Sequence, residues 1–493
     1  MKYKIHMLLF SLLTTLLWTG CQEYEEMNLN PNEPTEVSPD VLLASSIRQS
    51  VNAMVTESFL LGNNAGQLTA KTLRTEVDAY NWNAFPTVWE GLYESLTDLE
   101  SMERISVEQG NEPMQGVAIA MRSWIFSTLT NAYGSIPYFE AIQGAEDVFT
   151  PGYTPQPDIY ADLLSELDRA VQLLEGDGQI TGDLIYNGDA DKWIKLANSL
   201  HLRLIMTGSG ALQNPGQLFA DVYNTGNIMS SNDDNAVLEY LQGFPNEFPL
   251  VPLKTGDFDA VALSENAYTV MNGYNDPRLL RYARPNNDDY TNPTFSGAVN
   301  GSNSANCPKT GSRLGVQYYN YPEFVQYEEL GLSQADGIIM TYAEVEFLIA
   351  EAIAKGWISG DIETHYRDGI AASMEYYEVD LAPFNWSSFA DFYDNSGVQY
   401  NEVMDIWEQK WLALFFTGLE PYFEVRRWYL ESGEDWGAIP FLSAPCENLN
   451  NDQLPMRFLY PGEEQSLNSA NYQSAVEALG GSNSQNARMW LVQ

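Results

Sequence analysis

The sequence predicts a mostly α-helical protein: helix pairs of the tetratricopeptide kind form a scaffold, and a long, irregular, loop-rich part is set into it. Three observations carry this. Residues 337–377 hold the start and stop signals of a helical hairpin. Amphipathic segments of helical length recur on both sides of it. From about Asn224 to Asp336 that periodicity fades, and Asn, Gly, Asp, Ser and Pro dominate. A hairpin with an uncovered apolar face needs neighbours to stack on, so one such unit predicts others.

In the hairpin, Thr341 is placed to cap the first helix, and Glu344 three residues on completes a capping box. Met340 and Val345 flank the cap as a hydrophobic staple. Val345, Leu348, Ile349, Ala352 and Ile353 then lie on one face, and Gly356 is the stop. A second helix from about Asp361 carries Ile362, Tyr366, Ile370 and Met374 on one side. Ala350, Ala354, Ala371 and Ala372 allow close approach of the pair.

Elsewhere, Ser38-Pro39 reads as N-cap and first-turn proline of a helix through about Leu61. Residues 62–81 read as polar loop, followed by helices from about Phe85 to Val107 and Glu112 to Ala132. Tyr133 to Tyr138 breaks the second of these. Helices over Asp158–Leu174 and Asp189–Met206 are joined by a Gly/Asp-rich turn. Within the irregular stretch only Ser264 to Gly273 reads as a short helix; so long a stretch in a compact protein points to function. After the hairpin come an aromatic loop (Leu381–Tyr400), a buried helix (Met404–Phe416) stopped by Gly418, a helix from Pro421 to Tyr429, and one over Asn468–Leu479.

Residues 1–20 read as a targeting segment. Lys2 and Lys4 precede a 12-residue apolar run, Met7 to Trp18, too short for an ordinary membrane span, which needs roughly 20 residues. Thr19-Gly20-Cys21 resembles a bacterial lipobox, with Cys21 as the lipidated residue, although Trp18 stands where Leu is usual. The acidic run Gln22 to Glu26 looks like a signal for the outer face of the outer membrane. Residues 21–39 form a tether and 40–493 a single domain, with scaffold at about 40–223 and 338–480 and insert at about 224–337.

The formal charge of −43 becomes −45 once Lys2 and Lys4 are removed. So acidic a surface repels nucleic acid and anionic membrane. The 12 Trp, 29 Tyr and 21 Phe exceed what a helical core requires, which places the surplus at a ligand- or partner-facing surface. Beyond Cys21 there remain Cys307 and Cys446. Export permits a disulfide, but spacing does not show whether they meet; the reading leans to unpaired thiols.

Several blocks together resemble the SusD/RagB family of outer-membrane nutrient-binding lipoproteins: NAYGSIPYFEAIQG (131–144), DIYADLLSELDRAVQLL (158–174), LIYNGDADKWIKLANSLHLRLIM (184–206), NDPRLLRYARP (275–285), IMTYAEVEFLIAEAIAKGW (339–357), QKWLALFFTGLEPYFEVRRW (409–428) and LPMRFLYPGEEQSLNSANYQSAV (454–476). They stand in the family's order and span nearly the whole mature chain. The resemblance implies about four tetratricopeptide-like helix pairs with a loop-rich ligand-binding part. It also implies a lid role over a TonB-dependent outer-membrane transporter of the SusC kind. Family members capture glycans, and some capture peptides.

The candidate ligand-binding residues follow from sugar chemistry: an aromatic face packs on C–H groups while amides and carboxylates bond hydroxyls. Asp78, Tyr80, Asn81 and Trp82 form one such group, and the family's binding residues often come from this loop; Trp82 reads equally as the first buried turn of the next helix. Tyr274, Tyr290, Phe295, Tyr318, Tyr319 and Tyr321 form a second set in the irregular region, with internal packing of a long loop as the alternative. Arg278 reads as structural, pairing a buried carboxylate. LLEGDGQITGDL (173–184) mimics part of a calcium loop, but Leu stands at positions 1 and 12, so it reads as a helix–helix turn; Asn232 to Asn235 reads as a solvated turn. No cofactor or metal site is read.

His201 and His365 lie in helical patterns, and no HExxH, nucleophile elbow or P-loop is present. With 67 acidic residues a carboxylate pair at glycosidase spacing arises by chance. The expected function is therefore capture of an oligosaccharide, without altering it, and delivery to the transporter. The alternatives are a peptide-capturing, RagB-like binder and a structural lid without its own ligand.

Overall fold

The computed structural model describes residues 37–493 except 242, 244–245, 302–303 and 320–326. The leader, Cys21, most of the tether and Tyr321 lie outside the described residues.

Helices that follow one another along the chain pack together in pairs. α1 (Pro39–Glu57) pairs with α2 (Pro86–Gln109), α3 (Glu112–Tyr133) with α4 (Gln156–Leu174), and α5 (Ala190–Thr207) with the short α6 (Pro215–Tyr223). Each pair also packs on the next. After α7 (Glu265–Gly273) comes the hairpin α8 (Tyr342–Ala354) and α9 (Ile362–Tyr376), which packs on α5 and on α10 (Val403–Ala413). α11 (Glu420–Glu431) and α12 (Ser469–Ala478) complete the scaffold. The mostly helical, tetratricopeptide-like architecture is thus as the sequence predicts. Gly369 lets the hairpin close: a Cβ there would stand 2.9 Å from Phe347 Cζ. Gly418, expected as a stop, sits at φ +56° in the left-handed region between α10 and α11.

Four local expectations change. α1 continues into a π turn, Ser58–Gly62, packed against the Gly418 carbonyl. The capping box is half realised: Thr341 Oγ1 accepts from Glu344 N at 3.4 Å, but the Glu344 carboxylate is taken by Arg203, Nε to Oε1 at 2.6 Å. A buried ion-pair partner outbids a backbone amide for a carboxylate. The chain between 62 and 81 contributes a strand, and the aromatic loop at 381–400 contains a short helix, Phe389–Asn395.

The irregular stretch is pinned by two of three two-stranded ribbons. β1 (Thr69–Lys71), β2 (Ile136–Pro137), β3 (Tyr153–Thr154), β4 (Ala236–Leu238), β5 (Val261–Leu263) and β6 (Gly337–Met340) pair as β1–β5, β2–β3 and β4–β6, all antiparallel. β4 lies near the beginning of the insert and β6 at its end, so one ribbon closes its base before β6 runs into α8.

The aromatic surplus is largely interior, which corrects the expectation that it lies at a surface. Trp82 packs edge-on to Tyr422 and Phe458 at 5.2 and 5.3 Å, Phe85 meets Phe458 at 5.1 Å, and Trp89 meets Tyr133 at 5.0 Å. Helices whose backbones cannot interdigitate like sheets fill their interstices with rings instead, and edge-to-face pairs are favourable. Arg278 is fully buried and grips Asp276, Nη2 to Oδ2 at 2.6 Å, with Gln409 Oε1 also at 2.6 Å. It orders the turn after α7, as expected.

Candidate functional site

The loop at 78–82 folds inward. Asp78 is buried; its Oδ2 accepts from Lys71 N at 3.0 Å and Lys309 Nζ at 3.4 Å, and burial pushes the carboxyl up to about 6 against the pull of Lys309. Tyr80 is buried, with its hydroxyl donating to the Ala65 carbonyl at 3.1 Å. Trp82 is 6 % exposed and donates Nε1–H to the Val77 carbonyl at 2.8 Å. As placed, these three present no face to a ligand, a correction to their reading as a sugar platform. The apolar gain of burying rings this large exceeds what a loop recovers by leaving them wet. Asn81 alone of the four is exposed.

The second set divides in the same way. Tyr318 is buried and stacked on Phe416 with ring centroids 4.2 Å apart, and Tyr319 is buried on Phe258 at 4.6 Å. The packing alternative describes these two. Tyr274 is half-buried, donates to Glu408 Oε1 at 2.8 Å, and belongs to a satellite cluster with Tyr366 and Trp386. Tyr290 and Phe295 are half-buried against the main core. The nine predicted residues that are described are therefore not gathered into one pocket.

What the structure does gather is the chain around them. Asn300 Nδ2 donates to the Thr69 carbonyl, Cys446 N to the Asn300 carbonyl and Leu449 N to the Ala79 carbonyl, at 2.8, 2.9 and 2.8 Å. These bonds and the Asp78–Lys309 pair hold three loops together. Cys307 and Cys446 form a disulfide with Cα atoms 5.9 Å apart, which corrects the leaning to unpaired thiols. Loop–loop hydrogen bonding, invisible in a spacing of 139 residues, brings them together.

A second feature lies elsewhere, at the seam of scaffold and insert. It is a cleft of about 1060 Å³. α1 contributes Arg48 and Asn52, the α4–α5 connection Tyr186 and Asn187, the first turn of α5 Lys192, and the chain flanking the ribbon β4–β6 Glu239, Tyr240 and Asp336. Tyr376 and Glu378 come from the end of α9, while Arg281, Gln317 and Tyr318 come from the insert. Only Tyr318 among these was singled out from the sequence.

Local chemistry fixes the walls. Asp183 accepts from the amides of Ile185, Tyr186 and Gly188 and from Trp193 Nε1 at 2.8 to 3.2 Å, so the segment that mimicked a calcium loop is a tightly bonded helix–helix turn presenting Tyr186 and Asn187. Tyr240 donates to Asn52 Oδ1 at 2.7 Å, and Tyr376 to Asp336 Oδ2 at 3.3 Å. Burial, with Glu239 and Glu378 nearby, pushes the Asp336 carboxyl up to about 7. Rings beside amides, hydroxyls and carboxylates in a large open cleft suit a hydroxyl-rich ligand. Neither His201 nor His365 lines it. Among the described residues no cluster of three or more His, Cys, Asp or Glu is disposed to hold a metal, and no helix is long and apolar enough to cross a membrane. Tyr186, Tyr240 and Tyr376 carry no motif that marks them; each stands beside ordinary helix or strand residues, and only the fold brings them together.

Comparison with known proteins gives the family. No curated protein matches the chain. An outer-membrane protein of Bacteroides vulgatus, described as probably involved in nutrient binding, superposes with a TM-score of 0.77 at 26% identity over 93% of this chain and 100% of its own. A SusD homologue from Bacteroides fragilis gives 0.76 at 24% over the same shares. A chitin-binding protein gives 0.73 at 24%, covering 92% of this chain and 99% of that one. The family model described as SusD-like, starch-binding associating with outer membrane, matches residues 31–461, so the chain belongs to the SusD-like family.

Proposed function

We propose that the protein is a lipid-anchored, cell-surface binder that captures oligosaccharides in the seam cleft and delivers them, unaltered, to a TonB-dependent transporter of the SusC kind. The observation that carries this reading is the cleft itself: about 1060 Å³ walled by tyrosines, amides and carboxylates drawn from both scaffold and insert. The family's starch-binding description and the chitin-binding relative support glycan as the ligand class. Lipidation at Cys21, surface exposure and the transporter partnership are proposals resting on the lipobox-like sequence and the family. Asn81, Tyr290 and Phe295, which like Tyr274 keep exposed surface, are proposed as a separate outer contact.

Affinity electrophoresis and calorimetry over starch- and chitin-derived glycans test it. Removing two cleft rings, Tyr240→Ala with Tyr376→Ala, is expected to weaken binding by at least roughly tenfold, since each ring contributes about 1 kcal/mol. Tyr290→Ala with Phe295→Ala reports whether the loop face adds a contact of its own. Binding lost only in the loop variant would move the site out of the cleft. No binding to any glycan would leave the structural lid as the better reading, and binding to peptides alone would favour the RagB-like one.

A further inference from the structure

Two buried side chains that line the cleft each keep polar atoms without partners. Arg281 is 5 % exposed, and its Nε and Nη1 have no hydrogen-bond acceptor. Gln317 is 2 % exposed, and its Oε1 has no donor. The Gln317 amide nitrogen is held by the Arg281 backbone carbonyl, which ties the two residues together in the wall of the cleft. Leaving such groups unmet in a buried place is costly.

The charges around them are unbalanced. Glu239, Asp336 and Glu378 all border the cleft, and Glu378 stands 3.8 Å from Arg281 Nη2. Two other cations line it, but each is engaged: Arg48 with Asn246, and Lys192 with the Asp233 carbonyl at 2.7 Å. Burial first, and then the nearby Glu239 and Glu378, lift the Asp336 carboxyl.

We infer that the cleft selects uncharged, hydroxyl-bearing sugar units through Arg281 and Gln317 and rejects uronate or sulfated glycans. A hydroxyl both accepts and donates, so one sugar diol satisfies the guanidinium and the amide oxygen together. A carboxylate would satisfy Arg281 but set its own oxygens against Gln317 Oε1 and the acidic wall. An amine would meet the guanidinium. This inference rests on the cleft being the glycan site.

The test is calorimetry of the intact protein with neutral oligosaccharides (malto-, cello- and chito-oligosaccharides), with oligogalacturonate and sulfated oligosaccharides, and with chitosan oligosaccharides. Binding confined to neutral members is expected. Arg281→Met and Gln317→Leu should each weaken it by roughly tenfold, the equivalent of one lost hydrogen-bonded group. Because those side chains are buried, the exposed pair Glu239→Gln with Glu378→Gln gives a second readout: the ratio of uronate to neutral affinity should rise by roughly tenfold as repulsion is removed. Equal or tighter binding of acidic or amine-bearing glycans by the unaltered protein would overturn the inference while leaving glycan capture standing. An unmoved ratio in the glutamine variant would overturn it as well. Absence of binding to every sugar would instead remove the cleft reading and this inference with it.

Discussion

Trp82 shows how one side chain can satisfy two descriptions in sequence and only one in space. Its ring meets Phe85, Tyr422 and Phe458 within 5.7 Å and its indole N–H is bonded, so it belongs to the core. Trp82→Ala should therefore cost about 3–5 kcal/mol in urea unfolding, as for other buried large-to-small changes. Tyr290→Ala, at a half-buried loop ring, should cost about 1 kcal/mol or less. Equal stability of the two variants would contradict the burial described here. The aromatic and amide content of a sugar site was legible in the sequence, but not which rings carry it. Whether a ring faces in or out depends on the tilt of a loop against α2 and α11, and Asp-Ala-Tyr-Asn-Trp-Asn is compatible with either. Arg278 was legible because Asn-Asp-Pro-Arg puts a carboxylate two residues from a guanidinium, a pairing settled locally.

At the scale of elements, helices were read well because caps, stops and apolar stripes act within one turn; α2, α3, α4 and α8 begin and end within two residues of expectation. What joins them was not. Arg203 of α5 meets Glu344 of α8, Lys410 of α10 meets Glu424 of α11 at 2.9 Å, and Arg427 of α11 meets Glu351 of α8 at 2.6 Å, all buried. No spacing rule pairs residues so far apart. Arg203→Met should cost about 3–5 kcal/mol because it strands the Glu344 carboxylate. Arg203→Met with Glu344→Leu should recover most of that loss, and failure to recover would mean that the pair does more than neutralise charge. The Cys307–Cys446 bridge acts likewise on loops. Reducing it, or Cys307→Ser with Cys446→Ser, should cost about 2–5 kcal/mol. Proteolysis should then begin at 304–313 and 443–452, the segments it joins; unchanged cleavage patterns would show that the hydrogen bonds suffice.

For the whole molecule, burial of acids in a chain of formal charge −43 sets a distinctive response to pH. Glu57, Glu420 and Asp336 are pushed up to about 7 and Asp78 to about 6, burial being the first cause in each. The folded state holds these protons more tightly than the unfolded chain, whose carboxyls release them near pH 4. Their contribution to stability is therefore complete below about pH 4 and is lost as pH rises through 6 to 7. Glu424 works in the opposite sense: Arg427 and Lys410 hold its carboxyl down to about 2, so its contribution is present above about pH 4.5 and disappears as pH falls towards 2. Surface repulsion among the many remaining carboxylates adds to the loss at high pH. Thermal unfolding should accordingly be latest near pH 4 to 5, earlier at pH 8, and earlier again below pH 3. Glu57→Gln removes one of the groups that must ionise in the interior, so it should shrink the fall between pH 5 and pH 8 while leaving the acid limb unchanged. A melting temperature that climbs steadily from pH 5 to pH 8, in either protein, would mean that the buried carboxyls are stabilised as anions and that the interior is more polar than its packing indicates.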